Sequence, residues 1–269
     1  PILEHIVKGL AISGIQKINM VVGYRKNIVM SYFGDGSQFG IKINYIEQSK
    51  LSGTLDALSL GLKGIEKDFL LVPGDNYVSS ASFIPLIRND LPALLAGKAD
   101  RWSKWGEIEF VKSKAKITFD NPEAFGRLHF TGIMKLDVEV ARKLIEAGGI
   151  HIGESLQKVE NSVNFDVINS EYWHNVVYPW DLIDGNRLAL RNLELYKSAK
   201  IERNVVLKGP ISIGSGSVIR SGSYLEGPIS IGDNCVIGPN TFIGNSVSIG
   251  DNTRIGAFGE IRDSIIMSN

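Results

Sequence analysis

Apolar residues recur at two kinds of spacing along this chain, and the change from one to the other divides it near residue 200. In the first part, Leu3, Ile6, Val7 and Leu10 stand at helical spacing until Ser13 and Gly14 stop the run. Residues 18–22 form a short apolar run, and 26–33 predict a helix that Gly34 and Gly36 break. Residues 41–46 alternate apolar and polar as a strand does. Gly53-Thr54 then opens a helix with Leu55, Leu58 and Leu62 on one face, and 69–72 is a buried strand. Further on, the pattern predicts a helix over 83–95, paired short strands at 106–110 and 116–119, a strand at 130–134 and a helix at 138–146. Helix alternating with strand predicts an α/β fold whose doubly wound, mostly parallel sheet lies between two helical layers.

From Ile201 the period becomes six. Ile201, Leu207, Ile213, Ile219, Leu225, Ile231, Ile237, Ile243, Ile249, Ile255, Ile261 and Met267 stand in one register, several followed by Gly where a turn needs backbone freedom. Three hexapeptides per coil make a triangular parallel β-helix with one aliphatic side chain per side pointing inward. The expected organisation is therefore an α/β domain over 1–184, a linking helix over 185–200 and a β-helix over 201–269.

Composition narrows the classes of function. Lys+Arg and Asp+Glu each number 29 in 269 residues, so no net field draws the chain to nucleic acid or to a membrane surface. The single Cys235 excludes an internal disulfide and reads as a small repeat residue. No run approaches the roughly 18 apolar residues of a membrane span, and residues 1–4 lack a signal-peptide pattern, so a cytoplasmic setting is expected. The chain opens inside a helical pattern without Met, which makes a sequence incomplete at its front the expectation.

Candidate chemistry concentrates between Tyr45 and Asp75. In an open parallel sheet ligands sit beyond the carboxyl ends of the strands, so Gln48–Thr54 and Asp75 are expected at one crevice. A Gln amide offers a donor and an acceptor in one plane and can read a base edge, while Gly53 lets backbone approach a planar ring. Asp75, at a strand end after Pro73 and Gly74, suits a hard cation such as Mg²⁺.

The run Gln-x-x-x-x-Gly-Thr followed by Pro-Gly-Asp resembles the sugar-1-phosphate nucleotidylyltransferases. The resemblance implies that Gln48, Gly53, Thr54 and Gly74 bind the nucleotide, that Thr131 and Gly132 border the sugar, and that Asp75 is catalytic and holds Mg²⁺. Residues 173–182 resemble the family's Trp-x-Asp-x-Gly-Tyr-Pro-Trp-Asp-Leu, which puts Asn175 at the second metal position, with a carbonyl in place of a carboxylate. The implied reaction joins UTP or dTTP to a sugar-1-phosphate and releases pyrophosphate.

Departures from the family are equally specific. Its Gly-x-Gly-Thr-Arg loop, which follows the first strand, is not found. Asp120-Asn121-Pro122 stands for a Glu-Lys-Pro, Phe130 for a sugar-reading Asn, and Gly148-Gly149-Ile150 for a Gly-Glu-Tyr. Trp102 and Trp105 are read as apolar anchors of the hairpin. The repeats resemble the left-handed hexapeptide type, which implies a homotrimer or higher oligomer. Residues 261–267 resemble those of the bifunctional UDP-N-acetylglucosamine pyrophosphorylase and glucosamine-1-phosphate acetyltransferase family, so the expected whole is an enzyme truncated at both ends. No His follows His174 to serve acetyl transfer. The alternative reading is a non-catalytic, nucleotide-sugar-binding oligomeric module for regulation or scaffolding.

Overall fold

Leu3, Ile6 and Leu10 form the apolar stripe of helix α1 (Ile2–Ile12), and the partners of that stripe organise the first half of the molecule. The computed structural model describes all residues except 91, 99–105, 112–113, 119–126 and 197, so Trp102, Trp105 and Asp120-Asn121-Pro122 lie outside the described residues. The chain divides into two compact units, Pro1–Asn175 and Val176–Asn269.

In the first unit α1 leads to β1 (Lys17–Val22), α2 (Lys26–Phe33), β2 (Lys42–Glu47), α3 (Thr54–Gly61) and β3 (Phe69–Leu71). β4 (Asn76–Val78), α4 (Phe83–Arg88), β5 (Ala93–Lys98), the hairpin β6 (Glu107–Val111) and β7 (Lys114–Thr118), and β8 (Leu128–Leu136) follow. The unit closes with α5 (Val138–Ala147), α6 (Ile152–Val159), β9 (Asp166–Asn169) and β10 (Trp173–Asn175).

The strand pairing corrects the expected mostly parallel sheet. β1 and β2 form a parallel pair. The larger sheet runs β7-β6-β8-β5-β9 with β3 also on β8, and of its pairings only β5 with β9 is parallel. The cause lies in β8, which returns from the β6–β7 hairpin beside β5 and so runs against both β5 and β3. Ile18 of β1 and Leu70 beside Val72 pack into one cluster with Leu3, Ile6 and Leu10, so α1 covers β1 and β3 together. Among the described residues the second edges of β1 and β3 pair with no strand.

A second correction falls at 83–95. α4 ends at Arg88, Asn89 turns to extended backbone, and Pro92 has no N–H with which to continue a helix. β5 then begins at Ala93, and Ala93–Ala96 are buried on both faces, as a central strand must be.

In the second unit α7 spans Asp181–Ala189, short of the expected linking helix over 185–200. Leu193 is extended, and the Ile213 N–H already donates to the Tyr196 carbonyl (2.6 Å), so residues beyond Leu193 join the first coil. Twelve short strands between Lys200 and Ile266 form three four-stranded parallel sheets, with paired residues eighteen positions apart in every pair but the last. Ile213, Ile219, Leu225, Ile231, Ile237, Ile243 and Ile249 are inward and almost fully buried. At the last side Ile249 pairs with Ile266, so Met267 falls out of register and is 70% exposed. The final coil is one residue shorter.

Small polar residues tie each coil to the next. The Ser217 and Ser223 hydroxyls donate to the carbonyls of Gly232 and Gly238 (both 2.8 Å), and Thr241 does the same to Gly256 (3.0 Å). Cys235 occupies the same kind of site, its thiol directed at the Gly250 carbonyl (3.2 Å). The lone cysteine is thus a repeat residue, and its burial protects it.

Candidate active site

Gln48 follows β2, and its N–H donates to the Val22 carbonyl (2.8 Å), extending the β1–β2 ladder by one bond. Its side-chain amide nitrogen donates to the Gly53 carbonyl (3.1 Å) and to Asp56 Oδ2 (2.8 Å). The predicted base reader is therefore held by the loop it belongs to. Holding a side chain in advance lowers the entropy lost on binding.

Gly53 adopts φ +100°, and a Cβ there would stand 2.2 Å from the Ile150 carbonyl oxygen, so only glycine fits. Thr54 Oγ1 accepts the Ile152 N–H (3.0 Å), and the Leu55 N–H donates to the Ile150 carbonyl (3.3 Å). The Gly53-Thr54 turn is thus clamped to the loop between α5 and α6. That clamp is a feature the sequence reading missed, because the two partners lie nearly a hundred residues apart and carry no shared pattern.

Asp75 lies between Gly74 and β4. β4 and β10 pair antiparallel with Asn175 opposite Asn76, which brings the two predicted metal residues to one end of one strand pair. Asp75 Oδ1 and both amide atoms of Asn175 are buried, and the Asn175 amide has no hydrogen-bond partner among the described residues. A buried amide left without a partner costs about 1–3 kcal/mol, so an occupant that takes its oxygen would relieve that cost. One carboxylate and one amide oxygen suit Mg²⁺, which keeps several waters and takes other oxygens from substrate phosphates. No group of three or more His, Cys, Asp or Glu suited to a metal occurs among the described residues.

Asn76 fixes this strand pair. Fully buried, it donates to the Thr131 carbonyl (2.9 Å) and accepts from Trp173 Nε1 (3.1 Å), joining β4 to β8 and β10. On the other side, Gly74 stands against Leu3, and His5 meets the Tyr77 ring edge-on at 5.3 Å, so the first turn of α1 packs beside Asp75. Burial pushes the His5 pKa down and the Tyr77 pKa up.

Thr131 and Gly132 have a different place from the one expected. Thr131 is fully buried, its hydroxyl donating to the Leu95 carbonyl (2.8 Å) and accepting the Ile133 N–H (3.2 Å). Gly132 has φ +81° where the register between β5 and β8 shifts, the mark of a β-bulge. Both residues shape the sheet behind the crevice, and the Thr131 side chain is spent there.

Residues 1–96 match the nucleotidyl transferase family model, and residues 228–263 match the bacterial transferase hexapeptide (six repeats) model. The bifunctional protein GlmU of Methanococcus maripaludis is 32% identical over 233 residues, which cover 83% of this chain and 55% of that protein. The GlmU of Methanocaldococcus jannaschii is 27% identical over 238 residues, covering 81% and 54%. A glucose-1-phosphate thymidylyltransferase of Streptomyces griseus is 24% identical over 237 residues, covering 82% and 66%. The chain spans about half the length of the GlmU relatives it matches.

Proposed function

We propose that this chain forms the larger part of a sugar-1-phosphate nucleotidylyltransferase, which joins UTP or dTTP to a sugar-1-phosphate and releases pyrophosphate. The observation that carries the reading is the pairing of β4 with β10, which sets Asn175, with its unsatisfied amide, opposite Asn76, the residue that follows Asp75. It is supported by similarity to nucleotidyl transferases over residues 1–96 and to relatives with that activity in their names.

In this reading Gln48, Gly53 and Thr54 take the base, Gly74 adjoins the phosphates, and Asp75 and Asn175 hold Mg²⁺. A bound Mg²⁺ would offset the negative charge that develops as pyrophosphate leaves. The protein's own part is positioning. Gln48 is braced by Asp56 and Gly53, and the Gly53 turn is braced by Ile150 and Ile152, so a nucleotide meets a site already formed. The repeats, read as a left-handed β-helix, would assemble a homotrimer or higher oligomer. The whole protein would be bifunctional, with acetyl transfer as the second activity. Among the described residues no helix is long and apolar enough to cross a membrane.

The test is pyrophosphate release by the whole protein. Asp75→Asn is expected to abolish it under saturating Mg²⁺, with Kd for the nucleotide in the absence of Mg²⁺ little changed. Undiminished release would sink the assignment of Asp75.

A further inference from the structure

The crevice described above has a base reader and a cation position, yet Thr131, expected at the sugar, is spent inside the sheet. We infer that Glu154 is the residue that reads the hydroxyl groups of the sugar ring, an assignment that rests on the nucleotidylyltransferase reading.

Gly149 has φ +135°, and a Cβ at that position would stand 2.9 Å from Glu154 Oε2 and 3.1 Å from Glu154 Cβ. The side chain of Glu154 therefore fills the space that a side chain at 149 would enter. Its Oε2 accepts the Ile150 N–H (3.2 Å), and no cation pairs with the carboxylate among the described residues. Glu154 is exposed, so its remaining oxygen is open to a ligand.

The loop beneath it is held at both ends. The Ser155 hydroxyl donates to the Gly148 carbonyl (3.1 Å), and Lys158 Nζ donates to the carbonyls of Ala147 and Gly148 (3.1 and 3.0 Å). At the far end, Thr54 and Leu55 grip Ile152 and Ile150. The same Ile150 whose N–H meets Glu154 has its carbonyl against Gly53, which sets the carboxylate beside the base turn.

A carboxylate offers acceptors only, so it repels phosphate and favours neutral donors. The donors on a nucleotide-sugar that Gln48 and the cation position do not serve are the hydroxyls of the ribose and of the sugar ring, and only those of the sugar ring are absent from the nucleoside diphosphate. A bare structural role is the competing account, since a Glu in the first turn of a helix reaching back to an N–H also caps it.

Calorimetry separates the two. UDP and dTDP are titrated with Mg²⁺ into the wild type and Glu154→Gln, followed by the glucose conjugate of the nucleotide that binds. Gln keeps an oxygen for the Ile150 N–H, so the loop stays capped. The expected result is unchanged affinity for the nucleoside diphosphate and a loss of about tenfold or more for its glucose conjugate. Equal weakening of both ligands, or of neither, overturns the assignment and leaves the nucleotide site standing. Failure of the wild type to bind either nucleotide overturns both.

Discussion

At the scale of single residues, the left-handed positions of the β-helix are the most exacting. Asn204, Gly222, Asn240 and Phe258 occupy one column, a coil apart, with φ of 61°, 77°, 54° and 59°. Gly and Asn enter this region readily, whereas a bulky side chain is disfavoured there by about 1–2 kcal/mol. Phe258 is 80% exposed, so it recovers little by burial. Phe258→Asn is therefore expected to raise stability by about 1 kcal/mol, read as a higher denaturant midpoint at constant m-value. A lower midpoint would mean that the ring contributes to folding through contacts outside this chain's own fold. Gly53 presents the opposite case, since the Ile150 carbonyl blocks any Cβ and the turn would have to move. The sequence made such residues legible unevenly. Gln48, Gly53, Asp75 and Asn175 stand out by residue type and spacing, and the fold sets Asn175 opposite Asn76, next to Asp75 in the chain. The burial of Thr131 was illegible, because a hydroxyl in an apolar run reads alike whether it faces a ligand or a neighbouring carbonyl.

Whole elements obey a different logic, that of neighbours along the solenoid. Each coil contacts the ones before and after it, so a side chain in the middle has two packing partners and one at the end has fewer. Ile237 is fully buried between coils, while Ile261 in the last coil stays partly exposed. Ile237→Ala should cost about 2–5 kcal/mol through the cavity it leaves, and Ile261→Ala about 1 kcal/mol or less. Equal losses by denaturant unfolding would contradict a core that grows by stacking. The six-residue period made this half of the fold readable down to the inward position, and it failed only at Met267, where the shortened last coil brings Ile266 inward instead. In the α/β unit helices and strands were legible where breakers stood beside them, as at Gly34; the structure adds a cap at Asp137, whose carboxylate accepts the Val140 N–H (2.7 Å) at the start of α5. The run 83–95 misled because a buried strand and a buried helix share one apolar composition. The order of strands, with β8 reversed between β5 and β3, depends on contacts far apart in sequence that no local pattern records.

For the molecule as a whole, the question is what the outer surfaces of the prism do. One face presents Ser212, Ser230 and Ser248, and α7 covers part of it, Asn186 donating to the Ser246 carbonyl (2.9 Å) and accepting from the Ser248 hydroxyl (2.6 Å). Another presents an aromatic column in which Tyr224 stacks on Phe242 at 5.7 Å and the Arg262 guanidinium lies 4.2 Å over the Phe242 ring. Gly244 makes this possible, since a Cβ there would stand 2.6 Å from that ring. Aromatic side chains and Arg are enriched where proteins associate, whereas an isolated soluble face favours Lys and Glu. If the β-helix assembles the proposed trimer, light scattering should give three times the 29.5 kDa chain mass. Phe242→Glu, which sets a carboxylate in that column while leaving the inward isoleucines untouched, should reduce the particle to one chain without lowering its β-sheet circular dichroism. A wild-type monomer at micromolar concentration would overturn the trimer. A Phe242→Glu protein that remains trimeric would move the interface to the remaining face, where Val218 and Val236 line the outer side of the third sheet.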